Sequence, residues 1–594
     1  MKTLRRFLLC SCLLLIALHL PARARASEAV KQVMDAVVSR FYETMDAEAL
    51  RSLDDQKLRG LLSKDELRIL ATEYLTFDVN APVFVYVMRD KTQKTVPFWI
   101  EEAGFRRTDL SCVNEICEYE VWKKAFAAGR VGLGINGFDR HRTHYFVSVS
   151  PQEKGVELKI ANLSPAEFSM ETMDVGSLVY HDWTELVLAK VPQELRGGVL
   201  LSTIRGRSRE AHLIGAFRET PHPSSKRPDQ IMLTWSRDPR STQTIQWRTS
   251  PDVASGIAQY WKQDGENRGE VRQAATRMSV MDDRLLMNDR RVHRFEAVLE
   301  GLEPGTQYGY RVGCDGAWSE DFIFSTAPKA GEPFSFAYLG DTHATESWGE
   351  RIRDIAGKHP EAAFCMMAGD LVGTGLYRNE WDVLLHRGAG FIERRPLVPS
   401  IGNHDDQECL GADMYLKIFG LPENGPDSIE KERAYSFAYG NAQFIALDVT
   451  SPEALQHDWL EKTLSESNAA WRFAMFHFPP FGFESEEYAA IRKEWCALFD
   501  QYHVDLVMCG HTHHYMRTLP IRNGKVAPSP KDGTIYVTSC AVPGRRFPAL
   551  KTAEMAEAFF GESLYQIISI AGNRMEYRCF DAEGKIRDSF TIQK

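Results

Sequence analysis

The chain has no low-complexity tract, no block of like charge, and no apolar run beyond its N-terminus long enough to cross a bilayer. Its 71 Lys and Arg against 81 Asp and Glu leave a formal charge of −10. The absence of a basic patch argues against a nucleic-acid partner, and the absence of an acidic run argues against a solvated tail. Cysteine is scarce, eleven in 594 residues, and none falls in a CxxC pair. A thiolate zinc knuckle is therefore excluded. No Ser, Cys or Asp stands in a nucleophile motif. What remains is an ordinary globular composition, 44% hydrophobic and 26% charged, in a length that predicts about two to four domains.

The N-terminus departs from this pattern. Arg5 and Arg6 precede FLLCSCLLLIAL, and Ala24-Arg25-Ala26 stands just before Ser27. A basic flank, a short apolar core and a small-residue exit predict a secretory leader over residues 1–26, and with it a secreted or periplasmic protein. Removing the leader takes two of the eleven cysteines, so nine remain. Cys112 and Cys117 are close enough in sequence to form a small loop disulfide. Cys365 and Cys509 lie in apolar runs and read as buried thiols.

Four regions follow. Val30, Val33, Val37, Phe41 and Met45 recur at helical spacing, and Ser63-x-x-Glu66 reads as a capping box. From about 77 to 220 short strand candidates such as FVYVMRD and HYFVSVSP predict a β-rich part, so 27–220 is an N-terminal domain of mixed character and unknown role. PHPSSKRP at 221–228 reads as a linker. Between 229 and 328, alternating runs end in LEPGTQYGYRVG, which resembles the corner of a fibronectin-like β-sandwich where a tyrosine hydroxyl ties back to the backbone. From 333 to 594, apolar strands alternate with helical segments such as WGERIRDIAG and RNEWDVLLHR, an α/β pattern. In such sheets chemistry gathers at strand ends.

Each strand of that last region ends in a polar residue able to hold a metal. FAYLG runs into Asp341-Thr-His343, CMMAG into Asp370, VPSIG into Asn403-His404-Asp405, FAMF into His477, and VMCG into His511-Thr-His513. Taken singly these are weak signals: DxH arises by chance, GD is a common turn, and a histidine before two prolines usually packs in a core. Their order is what carries weight. DxH, GD, GNHD, H and GHxH occur in succession, each at a strand end. Four have a glycine just before the polar residue, which fits a sharp turn there. His511 and His513, two residues apart, are expected to share one face of a strand, and His514 to point away as a surface or supporting residue.

This succession resembles the calcineurin-like metallophosphoesterase superfamily. VDLVMCGHTHHYMRTLPI is similar to the closing motif of purple acid phosphatases, with Arg517 and Pro520 in place, and those enzymes carry a fibronectin-like domain before the catalytic one. The resemblance covers 229–594. It implies a multidomain chain ending in a layered αββα sandwich, and a binuclear centre of two divalent or trivalent ions (Fe, Mn or Zn). Asp341, His343, Asp370 and His513 would hold one ion; Asp370, Asn403, His477 and His511 the other, with Asp370 bridging. It further implies a phosphatase that hydrolyses small-molecule phosphate monoesters by attack of metal-bound hydroxide, with His404 protonating the leaving group and Asp405 orienting the His404 ring. A phosphodiesterase or nucleotidase on the same residues is the alternative, and a surface binding protein using the N-terminal domains is another. The pattern departs from the purple enzymes at one point. Their tyrosinate ligand lies three residues after the GD aspartate, where this chain has Gly373; Tyr377 lies four residues further on.

Overall fold

The computed structural model describes residues 28–114, 116–139, 143–165, 168–180, 187–314, 316–407, 410–481, 488–542, 555–560 and 562–594. The leader expected over 1–26 lies outside them, as does Cys409. The N-terminal part opens with helices Glu28–Thr44, Ala47–Arg51, Asp55–Leu61 and Lys64–Thr72. The first buries Val30, Val33, Val37 and Phe41, as their spacing predicts. The capping box forms: Glu66 N donates to Ser63 Oγ at 3.2 Å and Ser63 N donates to Glu66 Oε2 at 2.7 Å. These helices share a core with a seven-stranded sheet whose central strand is Val83–Asp90. Cys112 and Cys117 are free thiols and do not form the loop disulfide that their spacing allows. The strand register pairs Cys112 with Tyr119 and turns its side chain inward. Cys117 sits in the turn beyond, its amide held by Asn114 Oδ1 at 2.7 Å and its Sγ 3.7 Å from Asp90 Oδ2.

Residues Asp229–Ser325 form two antiparallel sheets packed face to face. Trp247, Phe295, Tyr308, Tyr310 and Phe324 fill the space between them. At the predicted corner Glu303 N donates to the Tyr308 hydroxyl at 3.0 Å. Tyr310 leaves the sandwich instead, its hydroxyl donating to Glu393 O at 2.7 Å.

The last region holds two stacked sheets with helices outside. In the first, strands Leu397–Ser400, Ala362–Ala368 and Phe334–Leu339 run parallel, and Tyr565–Ala571, Arg574–Phe580 and Ile586–Gln593 continue it antiparallel. In the second, Ala442–Ala446, Trp471–Met475, Leu506–Cys509 and Ile535–Thr538 run parallel, flanked by antiparallel strands. Both faces of these strands are covered, which is why they read as continuous apolar runs. Phe336 and Phe364 of the first sheet meet Phe444 of the second at 5.2 and 5.4 Å between ring centres, and Phe473 stacks on Phe444 at 5.0 Å. Outward, Ile445, Phe476 and Val507 pack under Trp495 and Phe499. Cys365 and Cys509 are buried, as expected.

The sandwich is joined to the α/β region by a buried ion cluster. Arg248, 1% exposed, donates to Asp229 Oδ1 at 2.8 Å and to Asp382 Oδ1 at 2.8 Å, and Arg378 stands 3.2 Å from Asp382 Oδ2. Removing one partner from such a cluster strands buried charge, at a cost of about 3–5 kcal/mol. Arg248→Met should therefore lower the urea midpoint of the full chain markedly, by an amount of this order; an unchanged midpoint would show that the joint bears no stability.

Candidate metal centre

Five strand tips converge on one seam. Strands Phe334–Leu339, Ala362–Ala368 and Leu397–Ser400 deliver Asp341 and His343, Asp370, and Asn403 with His404. Strands Trp471–Met475 and Leu506–Cys509 of the other sheet deliver His477, and His511 with His513. The glycines before the polar residues matter mainly for closeness. A Cβ on Gly340 would lie 1.8 Å from Ser539 O, on Gly402 2.2 Å from Asp370 N, and on Gly510 2.5 Å from Asp341 Oδ1. Only Gly369 also needs its glycine for conformation, with φ at +79°. The turns are made by the metal-capable residues themselves: His343, Asp370, His511 and His513 have φ of 42°, 50°, 77° and 50°. Each such left-handed non-glycine residue costs roughly 1–2 kcal/mol, and strain of this kind collects at functional sites.

These turns correct one expectation and narrow another. His511 and His513 converge through left-handed backbone, not as neighbours on a strand, because the strand begins only at His514. His514 is not a surface residue; it is 1% exposed, with Nδ1 3.0 Å from Thr512 O.

The side chains pack to within ligand distance of one another. His513 Nε2 is 3.0 Å from Asp341 Oδ2 and 3.1 Å from His343 Nε2. His477 Nε2 is 3.1 Å from Asp370 Oδ2, and His343 Nε2 is 3.8 Å from the same oxygen. Asp341 with His343 and His513, and Asp370 with His477 and His511, each place their ligand atoms within 4.8 Å of one another. His404 joins Asp370 and His343 in a third such group, its Nε2 3.9 Å from Asp370 Oδ2. Asp370 therefore lies between histidines of both sheets. Its other oxygen accepts from His404 N at 2.9 Å, while Asp341 Oδ1 accepts from His511 N at 2.6 Å.

Asn403 Oδ1 is buried at this seam with no hydrogen-bond partner, and buried Asp341 Oδ2 and His477 Nε2 have only other candidate ligands beside them, His513 and Asp370 at 3.0 and 3.1 Å. Leaving a buried polar atom such as Asn403 Oδ1 unpaired costs about 1–3 kcal/mol. The three atoms come from three different strand tips, and each is a donor type that a cation accepts. Oxygen and imidazole nitrogen without thiolate suit Fe, Mn or Zn, so the residues fit a metal centre.

The charges are interlocked. Burial alone would raise the pKa of Asp370, but His477 and His404 outweigh it and hold the carboxyl well below its ordinary range. For Asp341, too, His477, His343 and His513 overcome burial. Burial would lower the pKa of His477, yet Asp370 and Asp341 push it up to about 9. His511 faces the same two carboxylates but is lowered to about 3 by burial and by the neighbouring His477.

Asp405 does not orient His404. Its carboxylate accepts from Leu371 N at 2.9 Å, Val372 N at 3.3 Å and Gly402 N at 2.9 Å, tying two tips together. The His404 ring is held by Gly373 O, 2.7 Å from Nδ1. A backbone carbonyl donates no side-chain signature, so this partner was invisible in the sequence. Glu380 was missed for a similar reason: it lies in the RNEW helix yet turns back to accept from Thr374 N at 2.8 Å. Tyr377 stacks under the Arg218 guanidinium at 3.7 Å.

A family model for calcineurin-like phosphoesterases matches residues 334–515, the segment that carries the five tips, and one for the N-terminal domain of purple acid phosphatases matches 228–326. Residues 334–515 therefore carry a calcineurin-like phosphoesterase domain. An uncharacterized protein of Mycobacterium tuberculosis is 28% identical over 336 residues, covering 49% of this chain and 62% of that protein. The chain thus matches about three-fifths of the length of that relative. The Fe(3+)-Zn(2+) purple acid phosphatase 12 of Arabidopsis thaliana is 25% identical over 394 residues, 59% of this chain and 80% of that one. In fold, the chain is similar to the purple acid phosphatase PPD1 from yellow lupin (Lupinus luteus) seeds, with a TM-score of 0.55, 14% identity, and coverage of 86% of this chain and 90% of that one. Coverage of 86% is more than residues 228–594 alone can supply, so the likeness in fold reaches into the N-terminal part.

Because a Cβ at position 402 would press on Asp370 N and Oδ1, Gly402→Ala should displace Asp370 and cut metal stoichiometry sharply, with far-UV circular dichroism unchanged. Full metal content in this variant would mean that Asp370 is not needed by the centre.

Proposed function

We propose that this chain is an exported phosphatase with a binuclear metal centre, acting on small-molecule phosphate monoesters. The observation that carries this reading is the set of buried candidate ligand atoms on Asp341, Asn403 and His477, turned toward one another around a carboxylate, Asp370, shared by histidines of both sheets. Asp341, His343, Asp370 and His513 would hold one ion, and Asp370, Asn403, His477 and His511 the other. Iron, manganese or zinc ions bound there supply charge for the phosphoryl oxygens and acidify water.

The protein's own share is positioning and proton delivery. A carbonyl can only accept, so the contact with Gly373 O requires the hydrogen on His404 Nδ1. That tautomer turns Nε2 toward Asp370, where a further proton can be carried and passed to the departing oxygen. Asp370, held ionised, supports the charged imidazole. Export rests on the leader expected over 1–26, the monoester preference on the likeness to purple acid phosphatases. Turnover of monoesters against diesters with defined metals tests the reading; a clear preference for diesters would replace the substrate class while keeping the centre, and no turnover of either would end it.

The centre should be colourless or weakly coloured even when loaded with iron. A Cβ at Gly373 would stand 3.9 Å from His343 Nδ1, so a side chain there would face the cluster, and this chain has none. Tyr377 is engaged by Arg218 instead. An intense visible band on iron loading would mean that some tyrosine reaches the metal.

His404→Ala should cost about 10²–10⁴-fold with an alkyl phosphate and much less with p-nitrophenyl phosphate, whose leaving group needs no proton. Metal content should not change. An equal loss on both esters would assign His404 to phosphate binding.

A further inference from the structure

The N-terminal part reaches the loop before the helix Arg378–Arg387 through Arg218. Its carbonyl and amide join the sandwich, with Arg218 N donating to Leu285 O at 2.9 Å and Met287 N donating to Arg218 O at 2.7 Å. Its guanidinium, 13% exposed, does four things at once. Nε donates to Asn379 Oδ1 at 2.9 Å, Nη1 donates to Ala216 O at 2.9 Å, Nη2 pairs with Asp283, and the plane lies over the Tyr377 ring. Asp283 in turn accepts from Arg378 N at 3.1 Å. Tyr377, Arg378 and Asn379 are therefore gripped together where the helix Arg378–Arg387 begins.

That helix start fixes the loop before it. Glu380 accepts from Thr374 N at 2.8 Å, Trp381 Nε1 donates to Gly375 O at 2.9 Å, and Tyr377 N donates to Thr374 O at 2.9 Å. The loop then holds His404 on two sides: Gly373 O receives the ring Nδ1 at 2.7 Å, and Gly375 N donates to His404 O at 2.8 Å. The bond to Gly373 O therefore ties the ring's direction to where residues 373–375 sit.

We infer that Arg218 is a positioning residue for the reaction: from outside the catalytic domain it braces the Gly373–Tyr377 loop and so aims His404 at the leaving group. This rests on the proposed proton-donor role of His404. It gives the N-terminal part a share in turnover rather than a separate errand. A planar fork that stacks and donates in several directions suits arginine and not lysine.

The test uses the full, metal-quantified chain. Arg218→Ala should lose about ten- to a hundredfold with an alkyl phosphate, the order expected for a misplaced catalytic group, and clearly less with p-nitrophenyl phosphate. Metal content should be unchanged. Added to His404→Ala, the Arg218 change should cost nothing further on the alkyl ester, since the two act through one step. Hydrogen exchange at the Gly375 amide should speed up in Arg218→Ala. Tyr377→Leu keeps the Arg218–Asp283 pair and so the joint to the sandwich; it should show the same selective loss, and it carries the test if Arg218→Ala does not fold. Equal losses on the two esters in the Arg218 or Tyr377 variant, additive losses in the double variant, or unaltered exchange at Gly375 would each overturn the inference. If His404→Ala itself loses equally on both esters, the proton-donor reading fails, and exchange at Gly375 then decides the bracing alone.

Discussion

Two carboxylates, Asp341 and Asp370, are kept ionised with almost no access to water, and the catalytic region is arranged around that fact. Burying a charge is costly unless it is paired. Here the compensation comes from imidazoles on two different sheets, His477 and His513 on one side and His343 and His404 on the other. The sheets must therefore meet closely along one seam. That closeness explains the glycines at 340, 402 and 510, where any side chain would strike backbone or a carboxylate, and the aromatic layer of Phe336, Phe364, Phe444 and Phe473 that holds the sheets face to face. It also explains why the strain sits on His343, Asp370, His511 and His513. Their left-handed turns bring side chains from strand ends into a space that straight strands would not reach.

Much of this was legible in the chain. The helices Glu346–Lys358 and Arg378–Arg387 fall where WGERIRDIAG and RNEWDVLLHR place them, because their apolar spacing reports burial on one face. The strand tips were legible because a run buried on both faces can end only where polar residues begin. The capping box at Ser63 and the Tyr308 tie-back were legible because each is a local bond with a local signature.

What was not legible is long-range or carried by the backbone. Nothing in GNHDD shows that Asp405 serves three amides while a glycine carbonyl thirty-one residues away takes the His404 ring. Positive φ at His511 leaves no mark in GHTHH, so the strand appeared to start too early. The buried state of His514 depends on the sheet edge closing over it, and the free thiol of Cys117 on a register that no spacing rule supplies. Arg218 is the clearest case. It stands beside a segment that reads as a linker, PHPSSKRP, and its partners lie 65 and 161 residues away.

These long-range bonds bear on how the parts of the chain depend on one another. The sandwich touches the catalytic region through Arg248 and Asp382, and the N-terminal part touches it through Arg218 and Tyr377. Both contacts converge on the first turns of the helix Arg378–Arg387, and Asp283 of the sandwich contacts both Arg218 and Arg378 N there. The loop before that helix is the one that holds His404. A helix start is an economical place for such a joint, because its amides lack partners within the helix and are open to an outside carboxylate. The seam supplies the charges, and this helix end ties the loop that holds His404 to the N-terminal part and the sandwich.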